Sequence, residues 1–269
     1  MKDLSNENII HVKKDELEYI QFKRLLEYKN IKHCFTLKPL DFASNATYEE
    51  KRAEVEKGLK TLAEEFGFDV KNICRPKQTH TDIVEKVQDG DEGIYIQKFD
   101  NVDGLVTDKK KKVLMLGFAD CTPLLFYDPV KNVIANTHSG WKGTFQAIGA
   151  RTVEKMIAEY NCNPKNIICC IGPHIRQCHF EVDKDVKDLF YNKFKDLEGI
   201  DEIINYDNAI NKYYIDTSRI NKQILLNAGL KKENVIDSNI CTVCNSDVCH
   251  SYRAEKELSG RSVSIIYIQ

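Results

Sequence analysis

The stretch VLMLGFADCTPLLFYDPVKNVIANTHSGWKGT, residues 113–144, decides the fold. It contains three short apolar runs: VLMLGF at 113–118, LLFY at 124–127 and VIAN at 133–136. Runs of that length, rich in Val, Leu, Ile and aromatic residues, read as buried strands. Pro123 interrupts the apolar stretch after the first run, and Gly140 and Gly143 follow the third, where the chain has to turn. Beyond the glycines the apolar spacing changes to that of a helix, expected from about Thr144 to Tyr160, with Ile148, Val153, Met156 and Ile157 as its core-facing stripe.

Working outward, TYEEKRAEVEKGLKTLAEEF at 47–66 carries Val55, Leu59, Leu62, Ala63 and Phe66 at helical spacing, with Thr47 placed to cap it. IICCI at 167–171 and SVSIIYI at 262–268 are two further strands. There is no Pro/Gly/Ser-rich linker, low-complexity tract or internal repeat, and strands mix with helices throughout. The expectation is an α+β (mixed α/β) fold: one layered domain of mixed β-sheets flanked by helices.

The 269 residues, 42% apolar, suffice for a substantial core. A net charge of −2 from 39 basic and 41 acidic residues is too balanced for a polyanion-binding surface, so nucleic acid is not an expected partner. The N-terminal MKDLSNENIIHVKKDELEYI is charged throughout and lacks the apolar heart of a secretory signal, and no later stretch is long enough to span a bilayer. A cytoplasmic protein without a membrane partner is expected. The ten cysteines then read as thiols: buried filler, metal ligands or nucleophiles.

Three residues stand where an apolar run meets a turn. His80 closes KQTH before the run in TDIVEKV, Cys121 lies between VLMLGFAD and TPLLFYDP, and His138 ends VIANTH and opens SGWKG. Their separations are long, so no local ligand spacing of the CxxC or HExxH kind supports a metal site. Taken singly, such a histidine is as a rule a satisfied polar residue, and a cysteine beside a strand is buried filler.

Taken together, KQTH, VDGLVTD, ADCTPLLFYDP, HSGWKGT, IGPHIRQCHFEV, the Cys-Thr pair at 241–242, SYR and the final Gly-Arg before a strand resemble the laccase-domain family. Its members carry the older name polyphenol oxidase and are regarded as purine nucleoside phosphorylases with adenosine deaminase activity. The resemblance runs from about residue 30 to 269, implying one catalytic domain over 30–269 with residues 1–29 as an N-terminal extension packed on it. It implies zinc held by His80, Cys121 and His138, the same three residues being catalytic. A His₂Cys set supplies borderline and soft donors suited to zinc and leaves a fourth position open. There the metal can lower the pKa of a water to about 7, which suits attack at C6 of adenosine. Phosphorolysis of adenosine, inosine, guanosine or methylthioadenosine gives the free base and a ribose 1-phosphate. It needs cations for the phosphate and protonation of the leaving base.

Lys142, Arg253 and Arg261 match family positions and suit an anionic nucleophile. Gln78 could meet a purine edge; Asp103 and Asp120 are acid/base groups or carboxylates that orient a zinc-bound histidine, the supporting role being favoured, although an Asp-Gly pair is also a common turn. Cys178 and Glu181 receive no role. CTVCNSDVCH at 241–250 looks like half of a structural zinc site whose other half is missing, so Cys244, Cys249 and His250 read as local variation. Near residue 36, FTLKPLDF replaces the Arg- and Gly-rich turn common in the family; Lys38, a point charge, stands where a planar guanidinium would be.

Three alternatives compete. A copper-dependent polyphenol oxidoreductase needs many histidines for several coppers, and this chain has seven, several outside the matching blocks. A cysteine hydrolase would use Cys121 as nucleophile with a nearby histidine as base. A non-catalytic module with structural zinc would need four ligands where the resemblance supplies three. The preferred nucleoside and the oligomeric state are not legible.

Overall fold

The computed structural model describes residues 2–43, 49–93 and 98–269. Strands β1 (Ile9–Lys14), β2 (Leu17–Phe22), β3 (Ile31–Thr36) and β4 (Ile73–Cys74) come first. β5 (Val84–Lys86), β6 (Gly104–Thr107), β7 (Val113–Phe118), β8 (Thr122–Asp128), β9 (Val133–Ser139) and β10 (Ile168–Ile171) follow. β11 (Glu181–Val182), β12 (Ile204–Asp207), β13 (Lys212–Ile215), β14 (Val235–Asp237) and β15 (Ser262–Ile268) complete the set.

One six-stranded sheet runs β1-β2-β3-β15-β7-β4 and a second β14-β10-β8-β9-β6-β5, while β11-β13-β12 form a small third sheet. Each large sheet is antiparallel apart from parallel edge pairs: β4 with β7, β5 with β6 and β10 with β14. The fold is α+β, as the strand and helix pattern implies.

Side-chain alternation explains why the two sheets stack. In VLMLGF, Leu114, Leu116 and Phe118 enter the cluster between the sheets, which also takes Leu125, Tyr127 and Ile134 from the second sheet. Val113 and Met115 point the other way, into a cluster with Val55, Leu59, Leu62 and Phe66 of the helix Glu49–Phe66. Thr47, the expected cap of that helix, lies outside the described residues. The outer face of the second sheet packs Leu124, Phe126 and Ala135 on Ile148, Val153 and Met156 of the helix Ile148–Tyr160. The result is four layers, helix on sheet on sheet on helix. Buried Asn136 joins the sheets, donating to the carbonyls of Leu114 and Ser264 at 3.0 Å each and accepting from the Ser264 hydroxyl at 2.7 Å.

Several expectations need correction. The helix expected from Thr144 is two helices, Trp141–Phe145 and Ile148–Tyr160, because Ala147 adopts a left-handed conformation (φ 62°) that ends one hydrogen-bond ladder before the next begins. Ile157 is 38% exposed and leaves the core stripe to Ile148, Val153 and Met156. Pro123 does not interrupt a strand; it lies inside β8, opposite His138 of β9. No correction attaches to residues 1–29, expected to pack on the core as an extension: residues 9–22 among them form β1 and β2 at one edge of the first sheet.

Candidate metal centre and its cleft

Two segments that cross from the first sheet to the second, and the end of β9, meet at one rim of the sandwich. The crossover from β7 to β8 is three residues, Ala119, Asp120 and Cys121; the crossover from β4 to β5 carries His80; His138 is the sixth residue of β9. Cys121 Sγ lies 3.7 Å from His80 Nε2, the two imidazole centroids are 5.0 Å apart, and the three donor atoms all fall within 4.8 Å of one another. His138 thus sits within a strand, paired to a neighbour, and not in the turn after it.

Asp103 holds this group together. Wholly buried, its carboxylate accepts the backbone N–H groups of Thr79, His80 and Thr81 at 3.2, 3.1 and 2.7 Å, and the Thr81 hydroxyl at 2.8 Å. It also accepts the Nδ1 proton of His138 at 2.8 Å, which leaves Nε2 as the coordinating nitrogen. The same loop carries His80 in a left-handed conformation (φ 66°). Burial raises the Asp103 pKa, but the His138 imidazole and the Thr81 donors outweigh it and hold the carboxyl at about 2. Burial likewise opposes ionisation of Cys121, yet His138 and His80 pull the thiol down to about 6. His138 gains from Cys121 and Asp103 in turn and is raised to about 9 despite its burial. Without a metal the pair therefore favours thiolate and imidazolium.

Gly140 is required by this packing: a Cβ there would stand 2.6 Å from His80 Cδ2 and 3.3 Å from Cys121 Sγ. Asp120, also left-handed (φ 78°), braces the opposite side. Its carboxylate accepts the Thr242 hydroxyl at 2.5 Å and the Arg253 backbone N–H at 2.6 Å, and its carbonyl accepts Ile175 N–H at 2.9 Å.

Two cavities adjoin at the cluster and share Ala119, Cys121 and Tyr252. The larger, about 420 Å³, is lined also by Arg75, Gln78 and Arg261; the smaller, about 190 Å³, by Trp141, Ile175, Phe180 and Arg253. Gln78 lies in the first but spends its amide on Gly117, donating to the carbonyl and accepting the N–H at 2.9 Å each, so it fastens the His80 loop to β7. Arg253 donates to the carbonyls of His179 and Glu181 at 2.8 and 3.2 Å. Arg261 donates to those of Ser259 and Gly260. Lys142 lines neither cavity; its ammonium stands 5.6 Å from the centroid of the Trp141 ring. Lys38 lines neither and is paired with Glu255 and the carbonyl of Ser246. Sequence reasoning missed Arg75 and the apolar wall of Ile175 and Phe180, and nothing but nearness to the KQTH block marks Arg75 out.

The donor set fits a borderline divalent ion: two imidazoles and a thiol converge, with a buried carboxylate behind and a cleft in front.

Known proteins agree with this architecture. The chain is 33% identical over 221 residues to "Purine nucleoside phosphorylase YlmD" of Bacillus subtilis (strain 168), covering 81% of this chain and 78% of that protein. It is 30% identical over 211 residues to "Adenosine deaminase RL5" of an unknown prokaryotic organism, covering 77% and 79%. The crystal structure of Bacillus licheniformis hypothetical protein YfiH superposes with a TM-score of 0.86 at 28% identity, over 96% of this chain and 99% of that one. The profile described as "Multi-copper polyphenol oxidoreductase laccase" matches residues 39–269, and the chain belongs to that family.

Proposed function

We propose that this protein is a zinc-dependent purine nucleoside phosphorylase that also deaminates adenosine. The observation that carries the reading is the convergence of His80, Cys121 and His138 donors within 4.8 Å at the junction of a cationic cleft and an apolar cavity. The names of the similar phosphorylase and deaminase supply the reaction classes. Zinc held by these residues would supply Lewis acidity at a position left open beside them.

The protein's own groups divide the remaining work. Asp103 keeps the proton on Nδ1 of His138 and fixes the His80 loop through three backbone donors. Trp141, Phe180 and Ile175 offer apolar and π surface against which a purine ring stacks while water is excluded. Arg75 and Arg261 border the larger cleft, where guanidinium groups suit phosphate. A nucleoside with its base in the smaller cavity presents its glycosidic bond at the junction, and phosphate in the larger cleft reaches C1′ from the other side.

The test is direct. Zinc-loaded protein is incubated with adenosine, inosine, guanosine and methylthioadenosine, with and without phosphate. Free base should appear only with phosphate, and inosine should form from adenosine without it. Failure of both sinks the reading. Stoichiometric copper with oxidation of phenols would replace it by the oxidoreductase.

One observation favours a second reading. A partly exposed thiol held at about 6 with an imidazole nitrogen at 3.7 Å is the arrangement of an activated cysteine nucleophile. Alkylation separates the two: zinc should shield Cys121, whereas equal labelling with and without zinc supports the hydrolase.

A further inference from the structure

We propose that Cys178, His179, Cys241 and Cys244 form a second metal site, a closed four-ligand centre for zinc. The two halves are far apart in sequence: Cys178 and His179 are adjacent, while Cys241 and Cys244 form a CxxC pair in a turn, with Cys241 62 positions after His179. The fold brings them to one point. His179 Nδ1 lies 3.2, 3.7 and 3.5 Å from the sulfurs of Cys178, Cys241 and Cys244. The Cys178 and Cys244 sulfurs are 3.7 Å apart, and all four donors fall within 4.8 Å. Bonds of about 2.3 Å to sulfur and about 2.0–2.1 Å to nitrogen put the donors of a tetrahedral zinc about 3.4–3.8 Å apart. The four separations above, 3.2–3.7 Å, lie close to that spacing.

Packing alone gives no reason for it. The other partly or wholly buried cysteines such as Cys34, Cys169 and Cys170 fill the core, whereas Cys178 and Cys244 are exposed, where a thiol contributes little burial and is open to oxidation. Cys178 and Cys244 are free thiols with their sulfurs 3.7 Å apart, not joined as a disulfide. Three thiols and one imidazole sharing a point match the Cys₃His donor set of structural zinc. The missing half of the CTVC motif is thus Cys178-His179. Cys249 and His250 go elsewhere: Cys249 is wholly buried in the core, and His250 Nε2 bonds the carbonyl of Leu40 at 2.8 Å.

Four protein ligands leave no open position, so this centre does not do chemistry on substrate. It joins the segment around 174–181 to the turn 241–245, which already meet at backbone bonds between His174 and both Ile240 and Thr242. That junction supports the substrate cavity. Ile175 and Phe180 line it, the His179 carbonyl holds the Arg253 guanidinium, and Thr242 holds Asp120 beside Cys121. The zinc would fix the cavity wall.

The test counts metal on the full chain purified with zinc under reducing conditions, by native mass spectrometry. Two zinc ions per chain are expected, falling to one in Cys121→Ala and to one in Cys244→Ser, with far-ultraviolet circular dichroism unchanged. Cobalt loaded into Cys121→Ala should show the strong ligand-field and thiolate charge-transfer bands of a tetrahedral thiolate site, and Cys244→Ser in that background should abolish them. Folded Cys121→Ala that binds neither zinc nor cobalt would overturn the proposal, as would a Cys178–Cys244 disulfide in the freshly isolated protein. Neither result touches the catalytic reading, which stands or falls on product formation.

Discussion

The two clusters of thiol and imidazole use the same kinds of donor on different parts of the fold. His80, Cys121 and His138 sit at the rim of the sandwich, gathered by a buried carboxylate and open to two cavities. Cys178, His179, Cys241 and Cys244 sit on two surface loops, gathered by backbone contacts, and line neither cavity. The contrast teaches that donor type does not decide between catalysis and structure. The number of protein ligands and the presence of space beside them decide it.

The largest expected effect falls on the open cluster. Cys121→Ser or His138→Ala should lower phosphorolysis and deamination together by about a thousandfold or more, since a catalytic metal contributes several kcal/mol. Rates of base release and of inosine formation check this, and survival of either activity breaks the assignment of both to one centre.

Asp103→Asn sharpens the comparison, because the closed cluster has no counterpart to Asp103. Zinc affinity at the open site should fall about 10- to 100-fold, measured by competition with a chelator, and the closed site should keep its metal. Equal loss at both sites would mean that Asp103 acts on the fold as a whole.

Arg261→Ala should weaken phosphorolysis roughly ten- to a hundredfold at subsaturating phosphate, from the loss of a charge-assisted contact of about 1.5–3 kcal/mol. Deamination, in which water is the nucleophile, should change far less. Lys142→Ala, outside both cavities, should stay within about threefold. An effect of Lys142→Ala larger than that of Arg261→Ala reverses the placement of the anion.

The smallest effect is on pH. In zinc-free protein the Cys121 thiol is lowered to about 6, so its thiolate is present above that pH and is lost as pH falls through it. Alkylation at neutral pH should run about two- to threefold faster than at an ordinary thiol, the larger thiolate fraction being mostly offset by the lower nucleophilicity of a more acidic thiol, with a half-maximum near 6. A half-maximum at the ordinary cysteine value would show that His80 and His138 do not act on the sulfur.

Much of the sandwich was legible because its strands are apolar on both faces. VLMLGF, LLFY and ICCI bury alternate residues against a helix and against the opposite sheet, leaving continuous apolar runs. The third sheet was not legible: β11 and β12 have no buried residue, and β13 buries Ile215 alone. The break at Ala147 was hidden as well, since alanine favours helix and nothing in its residue type signals the left-handed turn it makes. At the site, the two histidines and Cys121 could be named from the family blocks, and Asp103 as a carboxylate in support of them, but not how many groups it holds. Its burial and its five accepted bonds come from the folding of the 79–81 loop around it. The partner of the CxxC pair was invisible for a related reason: two loops bring it there, and no periodicity links them.

The three-residue crossover from Phe118 to Thr122 has a mechanical consequence. Stacked sheets lie about 10 Å apart, and the four Cα steps from one strand to the other can reach about 13–14 Å when fully extended. The tether has only about 3–4 Å to spare. Removing one residue would leave three steps reaching about 10–11 Å, with no slack for the left-handed turn at Asp120. Chain length thus restricts the place of Cys121, as its neighbours do, whether or not a metal is bound. An ion that binds there, as proposed, would meet the sulfur already at the rim and would require little search by the backbone.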